Sequence, residues 1–214
     1  MTDDIATLGR RDRRKREART RLLAAARQVI ARHGAANLRI SDVTDMADIG
    51  SGTFYSHFES KEAIVEAVVT EAVTSFAEAI GTQALRRDDP AETASISYRR
   101  FVRLAGEEAE LAGVLVNIDH AEALFESALL PYARETLERG ISSGRFLIED
   151  IELYLTSVSA AALAAMRGVL SGRLGPGADI AGAEMILRSF GVDAREAREI
   201  AHRPLPEPDL AANG

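Results

Sequence analysis

The chain has 214 residues, of which 46% are hydrophobic and 28% charged, and its formal net charge is −7. This length suffices for one large domain or two small ones whose core needs no disulfide or metal. Cysteine is absent, which excludes thiolate catalysis, cysteine zinc sites, iron–sulfur clusters and disulfide frameworks, and suits a reducing cytoplasm. The longest apolar run, residues 160–166, has seven residues. We therefore expect a cytoplasmic protein with no membrane-spanning segment.

Charge is unevenly divided along the sequence. Residues 1–62 contain 12 Lys and Arg against 9 Asp and Glu, whereas residues 63–214 contain 14 against 24. Eight of the cationic residues lie between positions 10 and 21, and a basic run of this density attracts polyanions. A solvated helix face has the same composition, so the residues that follow must decide between the two interpretations.

Helical periodicity dominates the N-terminal third. A first amphipathic helix is predicted from about residue 20 to 33, with Gly34 as its stop; its apolar positions are Leu22, Ala26, Val29 and Ile30. Two helices of about seven residues follow, separated by a break at residues 48–50, which predicts a helix-turn-helix. The inward side chains of the first are predicted to be Val43, Met46 and Ala47. Ser60 then predicts the N-cap of a long fourth helix.

The rest of the chain is also predicted to be helical. After a polar loop, Pro90 opens a helix whose inward face carries Tyr98, Phe101, Val102 and Ala105. A later helix runs through Tyr132 and contains Pro131, which is expected to kink it. Residues 148–170 are apolar nearly all round, which predicts burial on both sides, one of them against another subunit. With a helix near 178–190 and a disordered tail at 204–214, the predicted fold class is all-α with about nine or ten helices.

One motif decides the class of protein. Residues 48–62 read Asp-Ile-Gly-Ser-Gly-Thr-Phe-Tyr-Ser-His-Phe-Glu-Ser-Lys-Glu. A helix that enters the major groove of DNA, which is about 12 Å wide, must be short and carry small polar side chains at its exposed N-terminal end. Ser51, Gly52 and Thr53 meet this requirement. Tyr55 and His57 have flat bodies with polar tips suited to phosphate oxygens, while the two phenylalanines, Phe54 and Phe58, are predicted to turn inward.

This segment resembles the signature of the TetR family of bacterial transcription regulators, whose motif has a Thr-Leu-Tyr core, a frequent His-Phe pair and a Ser-Lys-Glu start to the fourth helix. The resemblance covers roughly residues 18–70. It implies a DNA-binding domain with a basic N-terminal arm at 1–62 and a helical effector-binding and dimerisation domain at 63–203. Lys61, at the positive N-terminus of the fourth helix, is expected to contact a phosphate. The full set of expected DNA contacts is Arg39, Ser41, Ser51, Gly52, Thr53, Tyr55, Ser56, His57 and Lys61.

Three positions depart from the family pattern. Asp48 stands where the turn usually has glycine and must adopt a left-handed conformation. Gly50 replaces a common serine cap and is an acceptable substitute. Arg39 occupies the position of the usual Ser or Thr cap of the second helix, so either Ser41 caps a later start or Arg39 reaches a phosphate.

The resemblance also implies a function: a homodimeric repressor that leaves a near-palindromic double-stranded DNA operator when a small-molecule effector binds. The dimer is expected to form through helices near 149–172 and 178–190. The predicted effector is medium-sized, apolar or aromatic, neutral or cationic, and held without a metal or cofactor in a cavity of roughly a few hundred Å³. The candidate cavity residues are Tyr98, Phe101, Asn117, Phe125, Leu129, Tyr132 and Met166, although an aromatic stripe at helical spacing also describes a plain core.

Two alternatives stay open at this level. The first is a DNA-binding protein on the same fold that works without an effector and whose interior is filled by side chains. The second is a helical interaction module in which the basic run is incidental. An enzyme is disfavoured, because the sequence has no Gly-x-Ser-x-Gly elbow, no His-Glu-x-x-His motif and no phosphate-binding P-loop.

Overall fold

The computed structural model describes residues 2–85, 87–116 and 127–206, and over them its regular structure is all helical, which confirms the predicted fold class. The chain divides into two compact units, Met1–Glu71 and Ala72–Gly214. The described residues form ten helices: α1 Thr2–His33, α2 Ile40–Ala47, α3 Ser51–Tyr55, α4 Lys61–Leu85, α5 Pro90–Glu107, α6 Ala109–Leu115, α7 Leu130–Ser142, α8 Ile151–Leu170, α9 Ala178–Ser189 and α10 Ala194–Ala201. The division into units falls inside α4, later than the boundary at 62–63 that the sequence suggested.

The first unit has an apolar core contributed by all four of its helices. The side chains that are at most 1% exposed include Leu22, Val29, Val43, Phe54 and Ile64. Helix α1 begins at Thr2, well before the predicted start near residue 20, so the basic run is itself helical. The prediction that Met46 points inward is wrong, since this side chain is 39% exposed. Helix α2 makes only about two turns, and Val43 and Ala47, one turn apart, take its buried face.

Asp48 makes the turn between α2 and α3. Its φ of 51° and ψ of 53° lie in the left-handed region, as predicted, and no other described non-glycine residue has a positive φ. Arg21 of α1 donates hydrogen bonds to the carbonyls of Ala47 and Asp48. These bonds satisfy carbonyls that the end of a helix leaves without intrahelical partners. The strained turn therefore also connects α2 to α1.

Replacing Asp48 tests this strain. Asp48→Gly is expected to raise the free energy of unfolding by about 0.5 to 1 kcal/mol, because glycine adopts the left-handed conformation without a steric penalty. Asp48→Val is expected to lower it by more than about 1 kcal/mol, because a β-branched side chain is poorly tolerated there. Urea denaturation followed by circular dichroism measures both changes. Equal midpoints for the two variants would show that the turn stores no strain.

Helix α5 is the central helix of the second unit. It contacts α6, α7, α8, α9 and α10, and Ile96, Phe101 and Val102 on it are buried. The helix begins at Pro90, as predicted, because a residue in the first turn needs no N–H for an intrahelical bond. Asp89 caps it by accepting a hydrogen bond from the Ala91 N–H at 2.9 Å.

Pro131 opens a helix rather than kinking one. Helix α7 begins at Leu130 with the proline in its first turn, so the prediction of a kink inside a longer helix is wrong. Proline loses no hydrogen bond in a first turn, where N–H groups have no intrahelical acceptor. Residues 117–126, which carry the upstream part of the predicted helix, lie outside the described residues.

Helix α8 buries one face and exposes another. Its buried residues are Leu155, Ala162, Leu163, Met166 and Gly168. Leu153 is 60% exposed, and Ala160 and Ala164 are exposed as well. Burial on both sides is therefore not reached within one chain. By length and a mean hydropathy of 1.4 alone, α8 would suffice to cross a membrane, but a core helix passes the same test and the indication is weak.

The segment after α10 is attached to α5 by two arginines. Arg99 Nη1 donates a hydrogen bond to the carbonyl of Arg203 at 2.7 Å, and Arg100 donates one to the carbonyl of Pro206. Arg203 precedes the predicted disordered tail and Pro206 lies within its first residues, and the disorder of 204–214 stays a prediction. Residues 207–214 lie outside the described residues.

Candidate DNA-recognition helix and effector cavity

Helix α3 presents its small polar residues on the surface while one aromatic side chain anchors it from below. Gly50 caps the helix with extended backbone, φ −66° and ψ 148°. Ser51, Gly52 and Thr53 are exposed, and a Cβ added at Gly52 would meet no heavy atom within 4 Å. Phe54 is fully buried, with its ring centroid 5.8 Å from that of Phe58. The inward orientation of both phenylalanines is thus confirmed, and the opposite face of α3 is open to a ligand as large as DNA.

The start of α2 decides between the two options that the sequence left open. Arg39 is the N-cap residue, with φ −114° and ψ 140°, and makes no side-chain capping bond. Ser41 lies inside the helix and its hydroxyl donates to Asp42 Oδ1 at 3.3 Å, so the idea that Ser41 caps a later start is wrong. The Arg39 side chain is exposed, and its contact with a phosphate stays a prediction.

Several of the predicted phosphate-binding side chains already have intramolecular contacts. Lys61 Nζ donates to the carbonyl of Ala36 at 2.5 Å, and the hydroxyl of Ser56 donates to the carbonyl of Thr53 at 2.7 Å. Tyr55, by contrast, is 58% exposed. Of these three side chains, Tyr55 is therefore the best placed to reach DNA without rearrangement.

Two cationic residues of the basic run, Lys15 and Arg19, act on His57. The sequence did not indicate that they lie near it. The guanidinium carbon of Arg19 lies 4.6 Å from the centroid of the Phe58 ring, a cation–π contact. Burial, together with the charges of Lys15 and Arg19, lowers the pKa of His57 below its ordinary 6.5. The uncharged imidazole is therefore favoured at pH 7, and the contact of His57 with a phosphate stays a prediction.

A cavity of about 90 Å³ lies in the second unit. Its walls come from α4, α5, α7 and α8 and from the region of α9, including Phe190 just after that helix. The lining residues are Ala77, Ala94, Ser97, Tyr98, Phe101, Leu129, Tyr132, Ala133, Thr136, Leu137, Leu155, Val158, Ser159, Ala162, Ile186 and Phe190.

Of the seven predicted effector residues, four lie on the cavity wall, one does not, and two lie outside the described residues. Tyr98, Phe101, Leu129 and Tyr132 line the cavity. Met166 is fully buried and is not part of the lining, so the structure places it in the core of the unit. Asn117 and Phe125 are outside the described residues. Small side chains at positions such as Ala94 and Ala162 are the sequence signal that could have identified the other lining residues. This signal is weak, because alanines at helical spacing occur in any helix interface.

The cavity is smaller than the sequence suggested. Ligand pockets are typically about 300–1,000 Å³, whereas this one measures about 90 Å³. An engineered apolar cavity of about 150 Å³ holds benzene. The described cavity is therefore smaller than the few hundred Å³ that the sequence suggested, and the size of the effector stays a prediction.

The polar groups on the cavity wall are hydroxyls. Burial raises the pKa of Tyr98 to about 12, so its hydroxyl stays protonated at physiological pH. Burial and the nearby charge of Glu78 also raise the pKa of Tyr132. No Asp, Glu, Lys, Arg or His belongs to the described lining, so the wall offers hydrogen bonds but no charge partner.

Gly182 on α9 makes room for Tyr98. A Cβ at this position would lie 2.4 Å from Tyr98 Cε1 and 2.6 Å from its hydroxyl oxygen. Real Cβ atoms do not come so close, so any side chain at position 182 would displace the tyrosine that lines the cavity. Sequence reasoning missed Gly182, since only the packing of α9 on α5 gives it this role.

Comparisons with known proteins agree with both parts of this description. The family model described as "Bacterial regulatory proteins, tetR family" matches residues 22–68, and the one described as "Tetracyclin repressor-like, C-terminal domain" matches residues 89–203. The second match alone spans more than half of the chain. The chain belongs to the TetR family.

Solved structures of TetR-family proteins resemble this chain over most of its length. RolR in complex with resorcinol is 36% identical, with a TM-score of 0.82, and the match covers 92% of this chain and 99% of RolR. RolR without ligand is 38% identical, with a TM-score of 0.78 and coverage of 88% and 99%. The fatty acid degradation regulator FadR from Bacillus halodurans is 20% identical, with a TM-score of 0.59 and coverage of 79% and 94%, and shares the fold. A search of curated proteins found no match.

The TetR assignment sets the general function. This chain is a TetR-family transcriptional regulator, and its family and structural neighbours are regulators, not enzymes. TetR regulators bind DNA through the N-terminal helix-turn-helix, which here contains α2 and α3.

Proposed function

We propose that the protein is a cytoplasmic, homodimeric repressor that binds a near-palindromic DNA operator through α3 and is released by a small aromatic effector. The observation that carries this proposal is the similarity to RolR over 92% of the chain at 36% identity, in a chain that itself has an apolar cavity. RolR was crystallised with resorcinol, a molecule with a single ring. The cavity of about 90 Å³ has to expand to take such a ring, because an engineered cavity that holds benzene measures about 150 Å³.

The proposed mechanism follows from the geometry of DNA. Two recognition helices of a dimer enter successive major grooves on one face of the duplex when they lie about 34–36 Å apart or at a longer helical-turn multiple. An effector that binds more tightly to a dimer with another spacing lowers DNA affinity by its differential affinity for the two states. The acidic balance of residues 63–214 disfavours their contact with the duplex, which leaves DNA binding to the N-terminal residues.

The exposed residues of α3 are proposed to divide the work of binding. Changes at Ser51 or Thr53 are expected to alter preference at particular base pairs by about 1 to 3 kcal/mol, because these side chains contact base edges. Tyr55→Phe and Lys61→Ala are expected to weaken binding to all sequences alike, because they remove phosphate contacts. Selection from a randomised duplex library measures both effects. Uniform losses for all four variants would contradict direct readout by α3.

Effector release is tested on a duplex chosen by such a selection. Fluorescence anisotropy of the labelled duplex is expected to fall as resorcinol is added to the wild-type complex. Ala94→Leu, which adds volume inside the cavity wall, is expected to bind the duplex but to resist release. The matched control is Ala109→Leu, at an exposed position on α6 that is not in the cavity lining. Release that is equal in wild type and Ala94→Leu would remove the cavity from the mechanism.

Dimerisation is proposed to use the exposed faces of α8 and α9. Leu153 on α8 and Met185 on α9 are 60% and 52% exposed, and exposed apolar patches of this kind mark interaction surfaces. Ala164→Glu on α8 is expected to shift the protein from dimer to monomer, because it introduces a charge at a close helix contact. Light scattering at micromolar concentration measures the mass, with Ala194→Glu on α10 as a control. A wild-type monomer would refute this interface.

A second candidate function is DNA binding without an effector. The small cavity volume, about 90 Å³, is the observation that favours it. In that case no small aromatic molecule releases the duplex, and none raises the melting temperature of the free protein.

A further inference from the structure

Two hydroxyls on the cavity wall already donate their protons to backbone carbonyls. Thr136 Oγ1 on α7 lies 2.8 Å from the carbonyl oxygen of Tyr132, and Ser159 Oγ on α8 lies 2.8 Å from the carbonyl oxygen of Leu155. A carbonyl oxygen only accepts hydrogen bonds, so each hydroxyl proton must be donated to the backbone. What these two oxygens offer to a ligand is therefore their lone pairs.

The described part of the cavity wall disfavours ionised ligands. The described lining contains no charged side chain, and burying an ion without a partner costs far more than burying a neutral polar group. Glu78, whose charge acts on the Tyr132 hydroxyl, is exposed and outside the lining. Its negative charge opposes a bound carboxylate, while its position in water prevents it from serving as a buried partner for a cation.

We propose, on the basis of the effector site proposed above, that the cavity selects neutral single-ring phenols, whose one hydroxyl proton is donated to Thr136 or to Ser159. The ring occupies the apolar space between Phe101, Leu155 and Phe190. The two acceptors lie on different helices, α7 and α8, and either of them offers a phenol a hydrogen bond that an apolar ring cannot form. This narrows the expected effector, which the sequence left as neutral or cationic.

Four small ligands of similar size test the proposal: phenol, toluene, benzoate and benzylamine. Isothermal titration calorimetry of the full-length protein without DNA gives each dissociation constant. Phenol is expected to bind about tenfold more tightly than toluene, and the two ions are expected to bind more weakly than phenol.

Removing the acceptors gives the sharper test. Whichever of Thr136 and Ser159 accepts the phenol proton, its removal by Thr136→Val or Ser159→Ala is expected to weaken phenol binding by about three- to tenfold, the effect of one neutral hydrogen bond. Both variants are expected to leave toluene binding within about twofold. Thr93→Val is the matched control, because the buried Thr93 hydroxyl also lies within hydrogen-bond distance of the carbonyl four residues earlier, that of Asp89, but does not line the cavity. This control is expected to leave the ratio of phenol to toluene affinity unchanged.

The outcomes separate this inference from the function on which it rests. An unchanged phenol to toluene ratio in both acceptor variants, or tighter binding of benzoate or benzylamine than of phenol, would overturn the inference and leave the effector site standing. Failure of all four ligands to bind a folded protein would overturn both. Selective phenol binding that does not release DNA would support the inference and contradict the proposed release mechanism.

Discussion

Asp179→Asn is expected to lower the free energy of unfolding of the second unit by about 3 kcal/mol, the cost of leaving a buried charge without its partner. Asp179 Oδ2 on α9 accepts hydrogen bonds from Arg103 Nε at 2.8 Å and from Arg99 Nε at 3.3 Å. The Arg99 side chain is only 5% exposed and that of Asp179 only 8%. Asparagine keeps the shape of the side chain but not its charge, so the Arg99 guanidinium remains buried without a counter-ion. Urea denaturation followed by circular dichroism measures the change.

The same cluster makes the free energy of unfolding depend on pH in the acid range. Burial acts to raise the pKa of Asp179, but hydrogen bonds and charge from Arg103 and Arg99 outweigh it and hold that pKa below the ordinary 3.8. The contribution of a carboxylate with a lowered pKa is present above its unfolded value and is lost as pH falls through its folded value. We therefore expect this contribution to be constant above about pH 5, to begin to fall near pH 4 and to be lost only as the pH passes below the folded pKa. As pH falls in the acid range, the free energy of unfolding is expected to decrease less steeply in Asp179→Asn than in the wild type.

An exposed ion pair provides the control for Asp179. Glu199 pairs with Arg195 on α10 at 3.1 Å, with side chains 62% and 89% exposed. Glu199→Gln is expected to change stability by less than about 0.5 kcal/mol, because water screens such pairs. If Asp179→Asn cost no more than Glu199→Gln, the buried cluster would not stabilise the second unit.

Deleting residues 1–16 is expected to weaken specific and non-specific DNA binding alike, by about tenfold or more at 0.1 M salt. The deletion removes six cationic residues, Arg10, Arg11, Arg13, Arg14, Lys15 and Arg16. It leaves the part of α1 that carries the buried Leu22 and Val29, so the core of the unit is retained. The slope of log affinity against log salt is expected to become shallower by about 0.9 for each phosphate contact that is lost.

A shorter deletion distinguishes the effect of lost positive charge from the effect of a shorter chain. Residues 1–9 contain two aspartates and no Lys or Arg, so their deletion is expected to leave the salt slope unchanged. Electrophoretic shifts over a series of salt concentrations measure both deletions on the selected duplex and on a scrambled one. A changed base preference with an unchanged slope in the longer deletion would assign the basic run to base readout.

Local sequence determined the helix-turn-helix. The burial of Phe54 and Phe58, the left-handed Asp48 and the cap at Gly50 were all predictable, because each depends on neighbours within one helical turn. Such features follow from backbone sterics and from the spacing of apolar residues. The same applies to the all-α class, which periodicity alone indicated.

The sequence predicted less well where a helix begins and which of its side chains are buried. Met46 fits an inward pattern by spacing, yet the two turns of α2 bury Val43, Thr44 and Ala47 and leave Met46 exposed. Pro131 fits the interior of an apolar stripe, yet it stands in the first turn of α7. In both cases the sequence pattern allows two answers, and the choice depends on where the helix begins and which neighbour it packs against.

Only the tertiary structure decided the features that join distant parts of the chain. Arg99 meets Asp179 across 80 positions and Arg203 across 104, and Gly182 makes room for Tyr98 from another helix. The volume of the cavity and the chemistry of its wall depend on how α5, α7 and α8 cross, which shifts with the sizes of the side chains at each contact. The sequence by itself therefore determined the class of protein and its DNA-recognition helix, because those depend on short-range spacing. The size and polarity of the effector cavity came from the packing of helices far apart in the chain.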